Sequence, residues 1–159
     1  MPLSVIQSAQ KGAINFHPAS PDYPGIGCNN YALYENAPEY GATCHHMASK
    51  VDTGKIIAVK RFPVFSTDDV SSLLHRPYEF QLVMLYEIVG KIINGEPLPE
   101  PNEHWTRHPR SRREFNELGV IRPEMTDDEV VRRVRAVTYG VFQPTVDIGG
   151  FRFELKVDK

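Results

Sequence analysis

A chain of 159 residues with a formal net charge of −2 holds one ordinary domain with a buried core, with room for a small lobe at one end, and argues against a highly basic nucleic-acid binder. No run approaches the ~20 apolar residues of a membrane span, and the first residues lack the charged head and apolar segment of a signal peptide. Cys28 and Cys44 have no C-x-x-C spacing, so neither a disulfide framework nor a zinc ribbon is indicated, and a cytoplasmic protein is expected.

In chain order, Ser4 is placed to cap a brief helix over Val5, Ile6 and Ala9, closed by Lys11-Gly12. Gly12 to His17 then reads as a short strand. Successive side chains on a strand face opposite ways, so Asn15 and His17 share one face. Pro18 cannot donate a ladder hydrogen bond, so the strand stops there and leaves that patch at the carboxyl end of a sheet, where open α/β folds place their sites. Pro21, Pro24, Gly25 and Gly27 mark a loop. Asn29 is placed to cap a helix carrying Tyr31, Ala32, Leu33 and Tyr34, which ends before Pro38; packing in the core is the expected role of both tyrosines.

Tyr40 to Lys50 and Lys55 to Val64 read as two strands joined through an Asp52-Thr53-Gly54 turn. The run Ile56-Ile57-Ala58-Val59 suits a strand covered on both faces. Thr67-Asp68-Asp69 is a helix start, and a long helix after Pro77 places Leu82, Leu85, Tyr86, Val89, Ile92 and Ile93 on one apolar stripe, ending at Asn94-Gly95. Glu96 to Asn102, with three prolines, reads as a connector. Arg107, His108, Arg110, Arg112 and Arg113, interleaved with Trp105, form the densest basic cluster; they suit either a phosphate or a solvated loop partly neutralised by Glu103, Glu114 and Glu117. Thr126-Asp127-Asp128-Glu129 is a capping box for a helix with Val130, Val134 and Val137 on one side and Arg132, Arg133 and Arg135 on the other. Phe142 to Val157 closes the chain as a Gly149-Gly150 hairpin. Residues 1–98 are expected to form a catalytic core and 99–159 a connector and small C-terminal lobe.

The chemistry concentrates in Asn15, His17 and Asp52. An amide, an imidazole and a carboxylate are the groups needed to stabilise an oxyanion and move a proton. A carboxylate beside His17 is expected to raise the imidazole's pKa. His45 and His46 face opposite ways as strand neighbours, so they do not readily share a metal ion, and no metal is assigned.

The same residues carry a family resemblance. Asn15-Phe16-His17-Pro18, a glycine-bearing loop, and Gly41-Ala42-Thr43-Cys44-His45-His46-Met47 running into Val51-Asp52-Thr53-Gly54-Lys55-Ile56-Ile57 resemble the catalytic half of the folate-dependent formyltransferases. That family includes methionyl-tRNA, glycinamide ribonucleotide and amino-sugar formyltransferases, and its pattern is Asn-x-His-Pro followed by Asp-x-Gly. The likeness is close over roughly residues 8 to 65 and looser beyond. It implies an α/β fold: a partial, Rossmann-like formyltransferase sheet with flanking helices and a small C-terminal helix-plus-hairpin lobe. It also implies transfer of a formyl group from 10-formyltetrahydrofolate to an amine, on an amino-sugar nucleotide or an aminoacyl-tRNA. Matched residue by residue, the catalytic set falls on Asn15, His17 and Asp52, with His45, Val51, Thr53 and Gly54 toward the folate.

The chain departs from the family in the loop after Pro18, where Ala19-Ser20-Pro21-Asp22-Tyr23-Pro24 replaces the usual Ser-Leu-Leu-Pro and leaves the acceptor open. Family members also carry an N-terminal nucleotide-fold half before this point. Without that wall the chain alone is expected not to bind folate tightly or turn over, and either to self-associate, as a homo-oligomer, or to be only marginally stable. The alternative reading is a truncated, non-catalytic binding or interaction protein.

Overall fold

A computed structural model describes residues 2–10 and 12–156. In chain order the elements are α1 (Leu3–Gln7), β1 (Ile14–His17), α2 (Cys28–Tyr34), β2 (Glu39–His46), β3 (Ile56–Pro63), α3 (Val70–Ile93), α4 (Arg112–Leu118), β4 (Val120–Ile121), α5 (Asp127–Val137), β5 (Thr145–Ile148) and β6 (Phe151–Glu154). The expected helix end at Lys11 and hairpin end at Val157 lie outside the described residues.

The site rests on a three-stranded antiparallel sheet in the order β1-β2-β3. The pleat gives its two faces different jobs. Ala42 and Cys44 of β2 and Ile57 of β3 are fully buried with Met84 and Ile88 of α3, while Ile14 and Phe16 of β1 pack against the edge of that cluster. The opposite face carries Asn15, His17, Thr43 and His45. Among the named strands of the described residues, parallel pairing occurs between β4 and β5, in the smaller β4-β5-β6 sheet, which the sequence showed only as the hairpin. Gly149 and Gly150 take that hairpin's turn, both at positive φ, where glycine carries no Cβ penalty.

A second core joins α2 to the later part of the chain. Tyr31, Ala32 and Leu33 pack with Leu73 of α3, Leu118 of α4 and Ala136 and Val137 of α5, so core contacts cross residue 98. Gly27, at φ +74°, caps α2 instead of Asn29. Asn29 and Asn30 sit inside the helix because their buried amides donate to Val70 O at 3.3 Å and Ala136 O at 2.6 Å, bonds that tie α2 to both neighbours. Thr126 caps α5, but Glu129 does not complete the box: its carboxylate is held by Tyr34, Arg132 and Arg133. Arg133 and Arg135 also turn inward, Arg133 onto the carbonyls that end α4 and Arg135 onto those of Phe65 and Asp68.

Helix α3 departs most from expectation. It starts at Val70 behind a capping box between Asp69 and Ser72 and runs straight through buried Pro77 instead of starting after it. Its core face is Leu73, Pro77, Met84 and Ile88. The expected stripe lies on the opposite side, where Tyr86 is 72 % and Ile93 77 % exposed. The distal half of the helix is apolar nearly all round, so two stripes compete, and only the sheet's position selects one.

That uncovered apolar stripe should make the isolated 159-residue chain self-associate. Light scattering should show species larger than a monomer, and a Tyr86→Lys, Ile93→Lys double variant should shift them toward the monomer with an unchanged circular dichroism spectrum. A wild-type chain that stays monomeric at high concentration contradicts this.

Candidate active site

Pairing of β1 with β2 sets Asn15 opposite His45 and His17 opposite Thr43. Asn15 and His17 therefore share a face, as the strand reading requires. The backbone just past β1 is fixed by two hydroxyls, Tyr40 donating to Pro18 O and Thr43 to Ala19 O, each at 2.7 Å. The β2–β3 register shifts between Cys44 and His45. Bulges of this kind re-aim a side chain, and here the His45 ring points at the same place as His17.

That place is Asp52. It occupies the left-handed region at φ +46° in the turn after β2, a conformation Asp tolerates better than most residues. Its Oδ2 accepts the Gly25 N–H at 2.8 Å and lies 3.3 Å from His17 Nδ1; its Oδ1 lies 3.5 Å from His45 Nε2. All three side chains are buried. Gly54 lets the turn fold back on β2, since a Cβ there would run into the His46 carbonyl.

The two imidazoles differ in what holds them. His45 Nδ1–H donates to His46 O at 2.8 Å, and its Nε2 is 3.2 Å from the Asn15 amide nitrogen, so the neutral ring is satisfied in one tautomer. His17 stands between two acceptors, Tyr23 O at 2.9 Å from Nε2 and the Asp52 carboxylate at Nδ1. A neutral His17 can satisfy only one of them; the imidazolium satisfies both. Burial opposes that charge and lowers the His17 pKa below 6.5, even though Asp52 and the Tyr23 carbonyl pull it up and His45 adds to the lowering. The expected rise is thus corrected, because desolvation outweighs the carboxylate. For Asp52, burial pushes upward, but the neighbouring His45 and His17 rings and the Gly25 N–H together hold the carboxyl below 3.8.

Asn15, His17 and Asp52 are therefore brought together, with His45 as a fourth member whose Nε2 lies 3.2 Å from the Asn15 amide nitrogen and 3.5 Å from Asp52 Oδ1. Of the other residues expected toward the folate, Gly54 is buried beneath the site. Val51 and Thr53 are exposed, and the Thr53 hydroxyl bonds to Lys50 O. Sequence reasoning missed the Gly25 N–H, the Tyr23 carbonyl and Trp105, whose ring lies against both imidazoles. Gly25 was visible as loop punctuation, but backbone donors carry no residue signature. The basic cluster divides: Arg107 and Arg110 bond to Glu35 and His108 to Glu114, while Arg112 lies over the Phe115 ring. Arg112 and Arg113 line an open cleft of about 620 Å³ beside Phe115, Val141, Phe142 and Arg152.

Residues 1–89 match the sequence profile described as formyl transferase, and the chain belongs to that family. It is 30% identical over 151 residues to a GDP-perosamine N-formyltransferase from Brucella melitensis, a match covering 92% of this chain and 56% of that protein. It is 29% identical over 138 residues to the methionyl-tRNA formyltransferase of Enterococcus faecalis, covering 85% of this chain and 44% of that one. The chain thus spans about half the length of these curated relatives. Among solved structures, an N-formyltransferase from Helicobacter canadensis, in complex with folinic acid and dTDP-3-aminofucose, shares the fold with a TM-score of 0.68 at 23% identity, over 87% of this chain and 51% of that one. The family and fold expected from the motifs are borne out.

Both lowered pKa values act on stability in one direction. The contribution of His17 is complete above 6.5 and is lost as pH falls through its folded value; that of Asp52 is complete above 3.8 and is lost as pH falls further. Thermal unfolding followed between about pH 7 and pH 5 should show Tm falling with acid, and His17→Asn should flatten that slope. An equal slope in the variant contradicts the burial of a neutral His17.

Proposed function

We propose that this chain carries the catalytic part of an enzyme that transfers a formyl group from 10-formyltetrahydrofolate to the amine of a nucleotide-linked amino sugar. The observation that supports it best is the convergence of Asn15, His17 and His45 on the buried Asp52. Attack of the amine on the formyl carbon places negative charge on the carbonyl oxygen and leaves a surplus proton on nitrogen. One Asn15 N–H faces His45, and the other is available to that oxyanion. The His17–Asp52 pair takes the amine proton as a unit, because protonating it satisfies both acceptors of the His17 ring. As the bond from the formyl carbon to the folate nitrogen breaks, that nitrogen takes a proton back from the pair, which balances the transfer.

A sugar-nucleotide acceptor is favoured over an aminoacyl-tRNA by two observations. The Brucella amino-sugar enzyme is a relative at 30% identity, against 29% and 25% for methionyl-tRNA formyltransferases from Enterococcus and Geobacillus. The basic cluster is largely consumed by Glu35 and Glu114, leaving Arg112 and Arg113 in a cleft shared with Phe142, Glu117 and Glu154, which is little free positive charge for a long phosphate backbone. On this reading residues 1–98 supply the chemistry and 99–159 help hold the acceptor, in the cytoplasm and not at a membrane. No helix among the described residues is long and apolar enough to cross one.

Formylation of an amino-sugar nucleotide, measured with the chain alone and with the portion of the Brucella relative that it does not span, tests the reading. Binding of a 10-formyltetrahydrofolate analogue and turnover should both be stronger in the mixture. Asn15→Ala should lose ~100-fold to 1000-fold in kcat, and Asp52→Asn at least as much with the fold retained. Near-wild-type turnover of Asp52→Asn excludes the mechanism.

A further inference from the structure

Trp105, the one tryptophan of the chain, lies between α3 and α4 on a strap that has no helix or strand of its own. Its ring centroid is 5.7 Å from that of His17 and 5.0 Å from that of His45, at interplanar angles of 67° and 89°. One indole thus makes edge-to-face contacts with both imidazoles, at the spacing where aromatic pairs attract. Its Nε1–H donates at 2.8 Å to the carbonyl of Gly54, two residues past Asp52. These neighbours are polar, and Trp105 is half-buried and belongs to neither apolar core.

The strap is tied on both sides of the indole. Arg61 holds the Glu103 carboxylate through two bonds of 2.7 and 2.9 Å. Thr106 bonds to Pro21 O through its N–H and to Asp22 through its hydroxyl. Arg110 N donates to Pro24 O and Ile26 N to Arg110 O, each at 3.0 Å. Those last two bonds clamp the loop whose Gly25 N–H holds Asp52. The strap lies so close that a Cβ on Gly25 would meet the Arg110 backbone.

We propose that Trp105 is a positioning residue of the formyl-transfer site, fixing the planes of His17 and His45 against Asp52 and shielding the three groups from water. Each imidazole is restrained by a backbone carbonyl at one nitrogen only, Tyr23 O for His17 and His46 O for His45. Their other nitrogens meet only side chains, Asp52 for His17 and Asn15 for His45, and these in-plane contacts leave each ring free to tilt. The indole supplies the second restraint for both rings at once, and its N–H holds the turn that carries Asp52. The catalytic half of this proposal rests on the formyl-transfer reading; the geometric half does not.

Nitrogen-15 NMR of the histidine rings in the full chain separates the two. In the wild type His45 should show one tautomer, with its proton on Nδ1. Trp105→Ala should lose that single tautomer, while Trp105→Phe, which keeps an aromatic ring without the N–H, should largely retain it. Glu103→Gln, which loosens the strap and leaves the indole in place, should fall between them and gives a reading even if Trp105→Ala fails to fold. In the transfer assay Trp105→Ala should lose ~100-fold in kcat with much less change in KM, and Trp105→Phe should recover most of that loss. Unchanged ring spectra in a folded Trp105→Ala overturn the proposal, as do altered spectra with wild-type turnover. Absence of turnover in every form of the wild type counts against the functional reading, and the ring spectra then decide the positioning role by themselves.

Discussion

The arrangement depends on keeping one carboxylate, Asp52, charged inside the protein. A buried charge is costly unless polar groups surround it, and the neighbouring elements are shaped to bring such groups to it. The shift in the β2–β3 register turns His45 toward Oδ1, β1 ends at Pro18 with His17 facing Oδ2, and the Pro- and Gly-rich loop returns the Gly25 N–H to the same oxygen. The bond from the Gly25 N–H, to a charged acceptor, is worth about 1.5–3 kcal/mol, and the two imidazole nitrogens stand 3.3 and 3.5 Å from the same carboxylate. The same burial that makes Asp52 depend on its partners favours the neutral form of His17. The pair then has room for one more proton.

Much of this centre was legible in the sequence because strand geometry is simple. A period of two put Asn15 and His17 on one face, proline marked where the strand stops, and Asp52-Thr53-Gly54 marked the turn. The same alternation set His45 and His46 on opposite faces. The approach of His45 to Asp52 was not visible, because a one-residue shift in register leaves no mark in composition. Gly25 and Tyr23 act through backbone atoms, which any residue possesses. Trp105 was noticed only for the arginines around it; its place depends on a connector folding back over the sheet, and no local periodicity encodes that.

The helices show the complementary limit. Capping signals located the starts of α3 and α5, whose first turns are fixed by local hydrogen bonds at Asp69 and Thr126. The core face of α3 was misjudged because Leu82, Leu85, Tyr86 and Val89 form as regular a stripe as Met84 and Ile88. Helix α4 was hidden within a basic cluster, although its Ser111–Glu114 capping box was present in the sequence. In both cases the pattern was complete, and the choice among patterns was made by distant parts of the chain.

The account stands or falls on the coupling between Asp52 and His17, read most directly by NMR titration of the His17 ring in the wild type and in Asp52→Asn. It predicts a midpoint below 6.5 that falls further once the carboxylate is removed, since burial then acts without its main opponent. A wild-type midpoint above that value, or one that does not move in Asp52→Asn, would contradict it.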